Sequence, residues 1–355
     1  MAAGRHDGER LGALPLIPTT VIGSYPQPSW LVDHELLVEK GVPRTRAADL
    51  WRVPPADLEE ALDAATLLAI HDQVRAGIDI VTDGEIRRES YFNHFANALD
   101  GVDRQRLGEG VNRLGGRSMV PLVSGPIRRR EPVERSAAEF LRAATDHATK
   151  VTVPGPFTLS QLAQNEHYPD QRSLALAYAE AIQEELSDLV AAGIDVVQLD
   201  EPYLQANADA ARRFAVEAID RALAGIDATT VLHTCYGYAV YVADKSGGYP
   251  FLAELADCAA DQLAIEFAQP RLDPSVLAPV AAKTIVLGVV DLSTDDVEPP
   301  TVIADRLRAA LEVVPPERLV AAPDCGMKFL TRPLAFAKLA ALAEGAALVR
   351  AEAGR

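Results

Sequence analysis

Cysteine is scarce in this sequence: three of 355 residues, at widely spaced positions, which does not make a disulfide framework. Long apolar runs are absent too, since no stretch of about 18 apolar residues predicts a membrane span. The start over residues 1–11 is polar and charged, without the apolar core of a signal peptide. These absences favour the cytoplasm, where thiols and metal thiolates persist.

Basic residues are also in the minority, with 34 against 51 acidic residues and a formal net charge of −17. This excess of negative charge argues against nucleic acid or an anionic membrane surface as the main partner. Apolar residues nevertheless make up 48% of the chain, which suits a globular core. The acidic excess is therefore expected to form a solvated surface.

The sequence does contain a repeated alternation of apolar, strand-like runs with helical patterns. Runs rich in Val, Ile and Leu predict strands over 19–24, 78–84, 150–154, 195–200, 230–235, 262–266, 284–291 and 319–324. Helices are predicted over 56–77, 173–192, 208–224, 251–258, 302–313 and 333–351. This alternation predicts an α/β fold, the (β/α)8 TIM barrel. A doubly wound sheet is the alternative, weakened because no Gly-rich phosphate loop follows the first strand.

Two regions lie outside this alternation. Residues 1–16 are polar and Gly-rich, which predicts a flexible N-terminal arm. Residues 100–135 are rich in Gly, Arg and polar residues, with a possible hairpin strand at 119–123. We expect a single barrel domain over 17–355, with a small insertion after the second strand.

One short stretch, from Val231 to Tyr236, combines a buried strand with metal-binding side chains. Alternate side chains of a strand share a face, so His233 and Cys235 point the same way. A His nitrogen beside a Cys sulfur makes half of a tetrahedral zinc site. Glu266 and Cys325, which also end apolar strand-like runs, are the proposed further ligands.

Polar residues collect at the carboxyl ends of the predicted strands, where barrels carry their catalytic groups. They are Ser24, Asp83, Glu85, Asp200, Glu201, His233, Cys235, Glu266, Asp291 and Cys325. Carboxylates are poor strand formers and costly to bury unpaired. Any one of them could merely cap a helix, but together they predict a site at one shared mouth.

Several of these segments carry a family resemblance. They are Thr20 to Gln27, Asp83 to Glu85, Val153 to Thr158, Gln198 to Pro202, His233 to Tyr236 and Pro323 to Lys328. With them, the chain resembles the catalytic C-terminal barrel of cobalamin-independent methionine synthase across roughly residues 17–350. The resemblance implies a zinc-dependent methyltransferase that makes methionine from homocysteine.

The resemblance also implies roles for individual residues. The zinc ligands of the family match His233, Cys235, Glu266 and Cys325, the same four as above. The family's homocysteine contacts match Ile22, Gly23 and Ser24, with Glu85 and Asp200 holding the amino group. Asp291 matches an Asp near the family's proton-transfer residue and is the catalytic candidate.

The chain departs from the family pattern on the side of the methyl donor. The family's full-length enzymes carry an additional N-terminal barrel, for which this chain has no room. Leu162 stands where folate-using members have a Trp, and Ser293 stands where they have a proton-transferring His. We therefore expect a donor other than methyl-folate, such as methylcobalamin or a corrinoid protein.

Two other functions stay open at this point. One is a zinc-dependent thiol alkyltransferase with another acceptor or electrophile, such as epoxide opening by coenzyme M. An acceptor without an amino group would leave Glu85 and Asp200 unpaired, which counts against it. The other is a non-catalytic thiol- or metal-binding barrel, disfavoured by the complete rim of polar groups.

Overall fold

The computed structural model describes residues 7–111, 116–245 and 247–353. Its strands are, in chain order, β1 (Ile80–Thr82), β2 (Asp100–Val111), β3 (Arg117–Arg128), β4 (Ala148–Pro154), β5 (Gln164–Asn165), β6 (Val196–Asp200), β7 (Thr229–Thr234), β8 (Gln262–Glu266), β9 (Thr284–Val290) and β10 (Leu319–Pro323). Seven of them form one parallel, curled sheet in the order β1-β4-β6-β7-β8-β9-β10. Each is almost wholly buried, as the apolar runs predict.

The segment after Ile17 joins the two edges of this sheet. Thr19 pairs in parallel with Ala321 of β10, and Thr20 pairs in parallel with Ile80 of β1. The predicted strand over 19–24 is thus wrong in length, because only these two isolated bridges form. Beyond them, side chains satisfy the backbone: Gln198 Nε2 donates to the carbonyl of Ile22 at 2.8 Å, and Thr82 Oγ1 to that of Gly23 at 2.9 Å. The predicted (β/α)8 barrel is confirmed, with its first strand reduced to bridges.

Helices cover the outside of the sheet. The α-helices are α1 (Asp7–Gly12), α2 (His34–Lys40), α3 (Leu58–Arg75), α4 (Asn93–Ala98), α5 (Arg135–Ala144), α6 (Pro156–Gln161), α7 (Gln171–Ala191), α8 (Tyr203–Ala206), α9 (Ala208–Leu223), α10 (Pro300–Leu311) and α11 (Arg332–Ala353). The boundaries of α7 follow local rules: the Asp170 side chain accepts from Ser173 N at 2.7 Å, and Gly193 ends the helix at φ 86°. In the described part of the chain, no helix has the length and apolar content needed to cross a membrane.

Two of the outer connections are not α-helices. The helix predicted over 251–258 is a short 3₁₀ turn, Ala253–Asp257, and another 3₁₀ segment, Pro274–Val280, follows β8. The second segment contains Pro279, whose missing N–H disfavours a continuous α-helix.

The region of the predicted insertion contains β2 and β3, which pair antiparallel, while β5 pairs in parallel with β3. Of the predicted arm, residues 1–6 lie outside the described residues, and residues 7–12 form α1. Leu11 and Leu14 pack against the apolar layer at the amino ends of the strands, and Arg10 Nε donates to Asp195 at 2.9 Å. The division into an arm over 1–16 and one domain over 17–355 stays a prediction.

Candidate active site

The carboxyl ends of the barrel strands surround a cavity of about 400 Å³, a size typical of small-molecule sites. Most of the predicted site residues lie at its base, which we call the cavity floor: Ile22, Gly23, Ser24, Glu85, Asp200, His233, Cys235 and Cys325. Two predicted residues, Glu266 and Asp291, are not among the described residues that line the cavity. The floor therefore unites residues from five parts of the chain at the end where barrels carry their chemistry.

Three side chains on the floor form a compact group of potential metal ligands. The ligand atoms of His233, Cys235 and Cys325 all lie within 4.8 Å of one another, and the two sulfur atoms are 4.0 Å apart. Two thiolates on one tetrahedral zinc, with bonds of about 2.3 Å, would lie about 3.8 Å apart. Nδ1 of His233 is buried and has no hydrogen-bond partner among the described residues. The spacing and the nitrogen–sulfur donor set therefore fit a zinc ion.

Glu266, the fourth predicted ligand, is fully buried at the end of β8 and lies outside that compact group. Its Oε2 pairs with the ammonium of Lys245 at 2.6 Å, and its Oε1 accepts from the backbone N–H of Tyr236 at 3.2 Å. Lys245 is itself buried and also donates to the carbonyl of Gly237 at 2.9 Å. The carboxylate is thus held by the protein beside the ligand group.

Glu85 carries an unsatisfied carboxylate oxygen into the floor. Gly84 and Glu85 both have positive φ values, 69° and 53°, and a non-glycine residue seldom adopts this conformation outside functional sites. Thr152 Oγ1 donates to Oε1 of Glu85 at 3.0 Å, whereas Oε2 is buried without a partner among the described residues. Burial, reinforced by the charge of Asp200, raises the pKa of Glu85 to about 7 despite the opposing charge of Arg88.

Asp200, at the end of β6, is the second buried carboxylate. Its Oδ1 accepts from Gln198 Nε2 at 2.8 Å, and burial raises its pKa to about 6. Burial raises the pKa of both carboxylates, and the charge of Asp200 adds to the rise for Glu85, so a cation bound beside them would stabilise their charged forms. Glu85 and Asp200 therefore make a site suited to an ammonium group.

The backbone of residues 22–24 approaches these groups closely. A Cβ on Gly23 would collide with Oε1 of Glu85, so a larger residue at this position would displace that carboxylate. Ser24 Oγ lies 3.4 Å from the hydroxyl of Tyr238, and the carbonyl of Ser24 accepts from Met327 N at 2.8 Å. Ser24, which is predicted to contact the acceptor, is thus held between the segments that contain Tyr238 and Met327.

Above the floor lies the cavity mouth, which we define by the cavity-lining residues outside the strand ends. They are residues 40–47, Tyr91, Ser118, Met119, Pro202, Tyr203, Tyr238, Tyr241 and Val242. Four tyrosines face this space, although aromatic residues make up only 6% of the sequence. The hairpin of β2 and β3 reaches the mouth through Ser118 and Met119.

The two departures from the family pattern both lie away from the cavity lining. Leu162 is 2% exposed and packs in the core at the end of α6. Ser293 donates to Oδ1 of Asp291 from its backbone at 2.7 Å and from its hydroxyl at 2.6 Å. The Asp291 carboxylate is therefore engaged with its own loop, and a catalytic role for it stays a prediction.

Sequence reasoning missed several residues that shape the site, chiefly Lys245, Thr152, Tyr238 and Arg44. Lys245 and Tyr238 belong to the connection after Cys235, where no periodicity or motif singles them out. Thr152 could have been found, because it is a polar residue near the carboxyl end of a predicted strand, on the same strand face as Pro154. Cys258, the remaining cysteine, is buried and lies outside the ligand group.

Residues 17–348 match the family described as "Cobalamin-independent synthase, Catalytic domain". The chain is 34% identical to a methionine synthase of Saccharolobus solfataricus over 351 residues, covering 97% of this chain and 98% of that protein. It is 33% identical to a methionine synthase of Sulfurisphaera tokodaii, covering 96% of this chain and 94% of that protein. These relatives therefore have about the length of this chain.

Solved structures give the same result. A B12-independent methionine synthase from Shewanella sp. W3-18-1, in complex with selenomethionine, superposes with a TM-score of 0.86 at 32% identity, over 95% of this chain and 99% of that one. A second structure, from Listeria monocytogenes, has a TM-score of 0.70 at 22% identity, over 95% of this chain and 98% of that one. The second likeness supports the fold.

Proposed function

The chain belongs to the family of the cobalamin-independent methionine synthase catalytic domain, and from this premise we propose that it transfers a methyl group to the sulfur of homocysteine, giving methionine. One observation carries the proposal: the His–Cys–Cys ligand group lies on the same cavity floor as two buried carboxylates, Glu85 and Asp200, which are suited to bind a cation. The first suits a thiol and the second suits an amino group. Homocysteine carries both.

His233, Cys235 and Cys325 would hold a zinc ion, with Glu266 as the proposed fourth ligand. Zinc lowers the pKa of a bound thiol, so the thiol loses its proton at neutral pH and stays a nucleophile. The protein contributes two anionic sulfur ligands and holds Glu266 next to them through Lys245. Because Lys245 already pairs with Glu266, that carboxylate would be the ligand that the substrate thiol can displace.

Glu85 and Asp200 would bind the ammonium of homocysteine, and Ile22, Gly23 and Ser24 would line its backbone atoms. The unpartnered Oε2 of Glu85 supports this assignment, since a buried carboxylate oxygen without a partner is costly. The same observation disfavours an alkyltransferase whose acceptor lacks an amino group. It also disfavours a barrel that binds metal alone, which has no use for the two carboxylates.

The donor in this proposal is methylcobalamin, free or on a corrinoid protein, rather than methyl-folate. Leu162 is in the core and offers no ring for stacking on a pterin, a loss of about 0.5–1.5 kcal/mol. Ser293 offers no imidazole for proton transfer, and a positioned general acid contributes about 10²–10⁴-fold. Methyl-folate needs protonation before it reacts, whereas methylcobalamin does not.

The test is turnover of homocysteine by the purified, zinc-loaded protein with a panel of donors. We expect methionine to form, and to form faster from methylcobalamin than from methyl-folate in its mono- or polyglutamate form. Faster turnover with either folate would refute the donor proposal and leave the acceptor standing. If no donor supports methionine formation and the protein does not bind homocysteine, the proposal that homocysteine is the acceptor is wrong.

A further inference from the structure

A preformed loop, residues 43–47, makes one wall of the cavity mouth. Three side chains fix its backbone: Ser90 Oγ donates to the carbonyl of Pro43, Asn93 Nδ2 donates to that of Thr45, and Glu89 Oε2 accepts from Ala47 N, each at 2.7 Å. Ser90, Asn93 and Glu89 are all buried. The loop is therefore held before any ligand binds.

Arg44, in the middle of this loop, has no carboxylate partner among the described residues. Its guanidinium lies between two aromatic rings, 5.9 Å from the centroid of Phe92 and 5.7 Å from that of Tyr203. Nη2 donates to the Tyr203 hydroxyl at 3.4 Å, and Nη1 is buried with no hydrogen-bond partner in the part of the chain that the structure describes. Ring faces stabilise a cation only modestly, so the charge stays largely uncompensated.

The other two cations of the described cavity lining are neutralised within the protein. Lys40 pairs with Asp49 at 2.9 Å, and Arg46 pairs with Glu89 at 3.1 Å. In a chain with a net charge of −17, carboxylates are plentiful, yet no carboxylate of the described residues forms an ion pair with Arg44. A half-buried guanidinium beside a ligand cavity, with one buried nitrogen unpartnered among the described residues, suits a carboxylate or phosphate group of that ligand.

We propose that Arg44 binds an anionic group of the methyl donor, a carboxylate or a phosphodiester, and so determines which donors the enzyme accepts. This inference rests on the proposed function. The donor is the expected partner because the acceptor's amino and thiol groups are assigned to the floor, whereas Arg44 lies in the mouth. Methylcobalamin carries a phosphodiester and methyl-folate carries glutamate carboxylates, so both offer the required chemistry.

The experiment measures equilibrium binding of two matched pairs of donors to the full chain. Methylcobalamin is compared with methylcobinamide, which lacks the phosphodiester together with its nucleotide, and methyl-tetrahydrofolate is compared with its glutamate diamide, which lacks both carboxylates. We expect the wild type to bind the anionic member of one pair about tenfold to a hundredfold more tightly, the range of a charge-assisted hydrogen bond. The pair that shows the difference identifies the group as phosphodiester or carboxylate.

The variants are Arg44→Met, Arg44→Lys and, as a matched control, Arg75→Met. Arg75 stacks on the ring of Phe336 at 5.2 Å, outside the described cavity lining. We expect Arg44→Met to abolish the preference for the anionic donor, Arg44→Lys to restore part of it, and Arg75→Met to keep it. Zinc content, thermal midpoint and homocysteine affinity should match the wild type in all three.

Several results would overturn the inference. They are equal binding within both pairs by the wild type, a preference that survives Arg44→Met, or a loss of homocysteine affinity in Arg44→Met with donor preference unchanged. The last result would assign Arg44 to the acceptor's carboxylate. Donor binding does not depend on turnover, so a failure of the proposed methyl transfer is detected separately, by the turnover assay with homocysteine.

Discussion

Cys235 and Cys325 lie 90 positions apart in the sequence, yet their sulfur atoms are 4.0 Å apart in the fold. If they hold a zinc ion with His233, removing either thiolate should release it. We expect Cys235→Ser and Cys325→Ser to purify with little zinc, because a serine hydroxyl is a much poorer ligand for this metal. Elemental analysis of the purified proteins measures the effect.

Cys258 provides the control for that measurement. It is equally buried, at 2% exposure, but lies outside the ligand group. Cys258→Ser should retain one zinc per chain even though it too replaces a buried thiol. Equal zinc content in all three variants would contradict the assignment of Cys235 and Cys325 as zinc ligands.

Glu85 combines a strained backbone with an unpartnered carboxylate oxygen, and the proposed function assigns that oxygen to the substrate ammonium. Glu85→Gln keeps the shape and removes the charge. We expect homocysteine binding to weaken by about 1.5–3 kcal/mol, the value of a hydrogen bond to a charged group. Calorimetric titration measures it, and an unchanged affinity would indicate a thiol without an amino group.

At the scale of the elements, the segment that follows β8 is held in place by a side chain that follows β10. Asp324, just after β10, accepts from the backbone N–H groups of Phe267, Ala268 and Gln269 at 3.0, 2.9 and 2.6 Å. These three residues directly follow Glu266. The carboxylate therefore fixes the segment that leaves the ligand-bearing strand.

Replacing this carboxylate should destabilise the fold. We expect Asp324→Ala to lower the free energy of unfolding of the metal-free protein by on the order of 3 kcal/mol, because it leaves buried N–H groups unpaired. Denaturant titration measures the loss. Asp273→Ala, which removes an exposed carboxylate bonded to Ser275 N at 2.9 Å, should lower the free energy of unfolding far less, because water can satisfy the freed N–H group. Equal losses would show that the Asp324 bonds do not hold this segment.

For the whole molecule, the carboxylates buried at one end of the barrel make the free energy of unfolding depend on pH. Burial raises the pKa of Glu85 from 4.5 to about 7, so the folded state holds a proton that the unfolded chain has lost over that interval. The stability of the metal-free wild type should therefore fall as pH rises from about 4.5 to 7, by on the order of 3 kcal/mol from this group.

Glu85→Gln cannot lose this proton, so the variant should escape that part of the decline. It should be as stable as the wild type near pH ~4 and more stable above pH ~7, although it binds homocysteine less well. Denaturant titrations across this range measure the difference. Glu60→Gln, on the exposed surface of α3, should follow the wild type. A Glu85→Gln variant with the wild-type decline would show that another group causes it.

The sequence by itself determined the features that local patterns encode. Continuous Val, Ile and Leu runs predicted the parallel strands, because both faces of such strands are covered. The two-residue period of a strand placed His233 and Cys235 on one face. Polar residues at strand ends predicted where the site would lie, because parallel strands present their carboxyl ends together.

Tertiary structure alone decided the features that depend on residues far apart in the chain. It reduced the first strand to bridges, because the Ile22 carbonyl is satisfied by Gln198, 176 positions away. It paired Glu266 with Lys245, engaged Asp291 in its own loop, and left Arg44 without a carboxylate partner among the described residues. Loop conformations follow from such long-range contacts, which no periodicity in the sequence records.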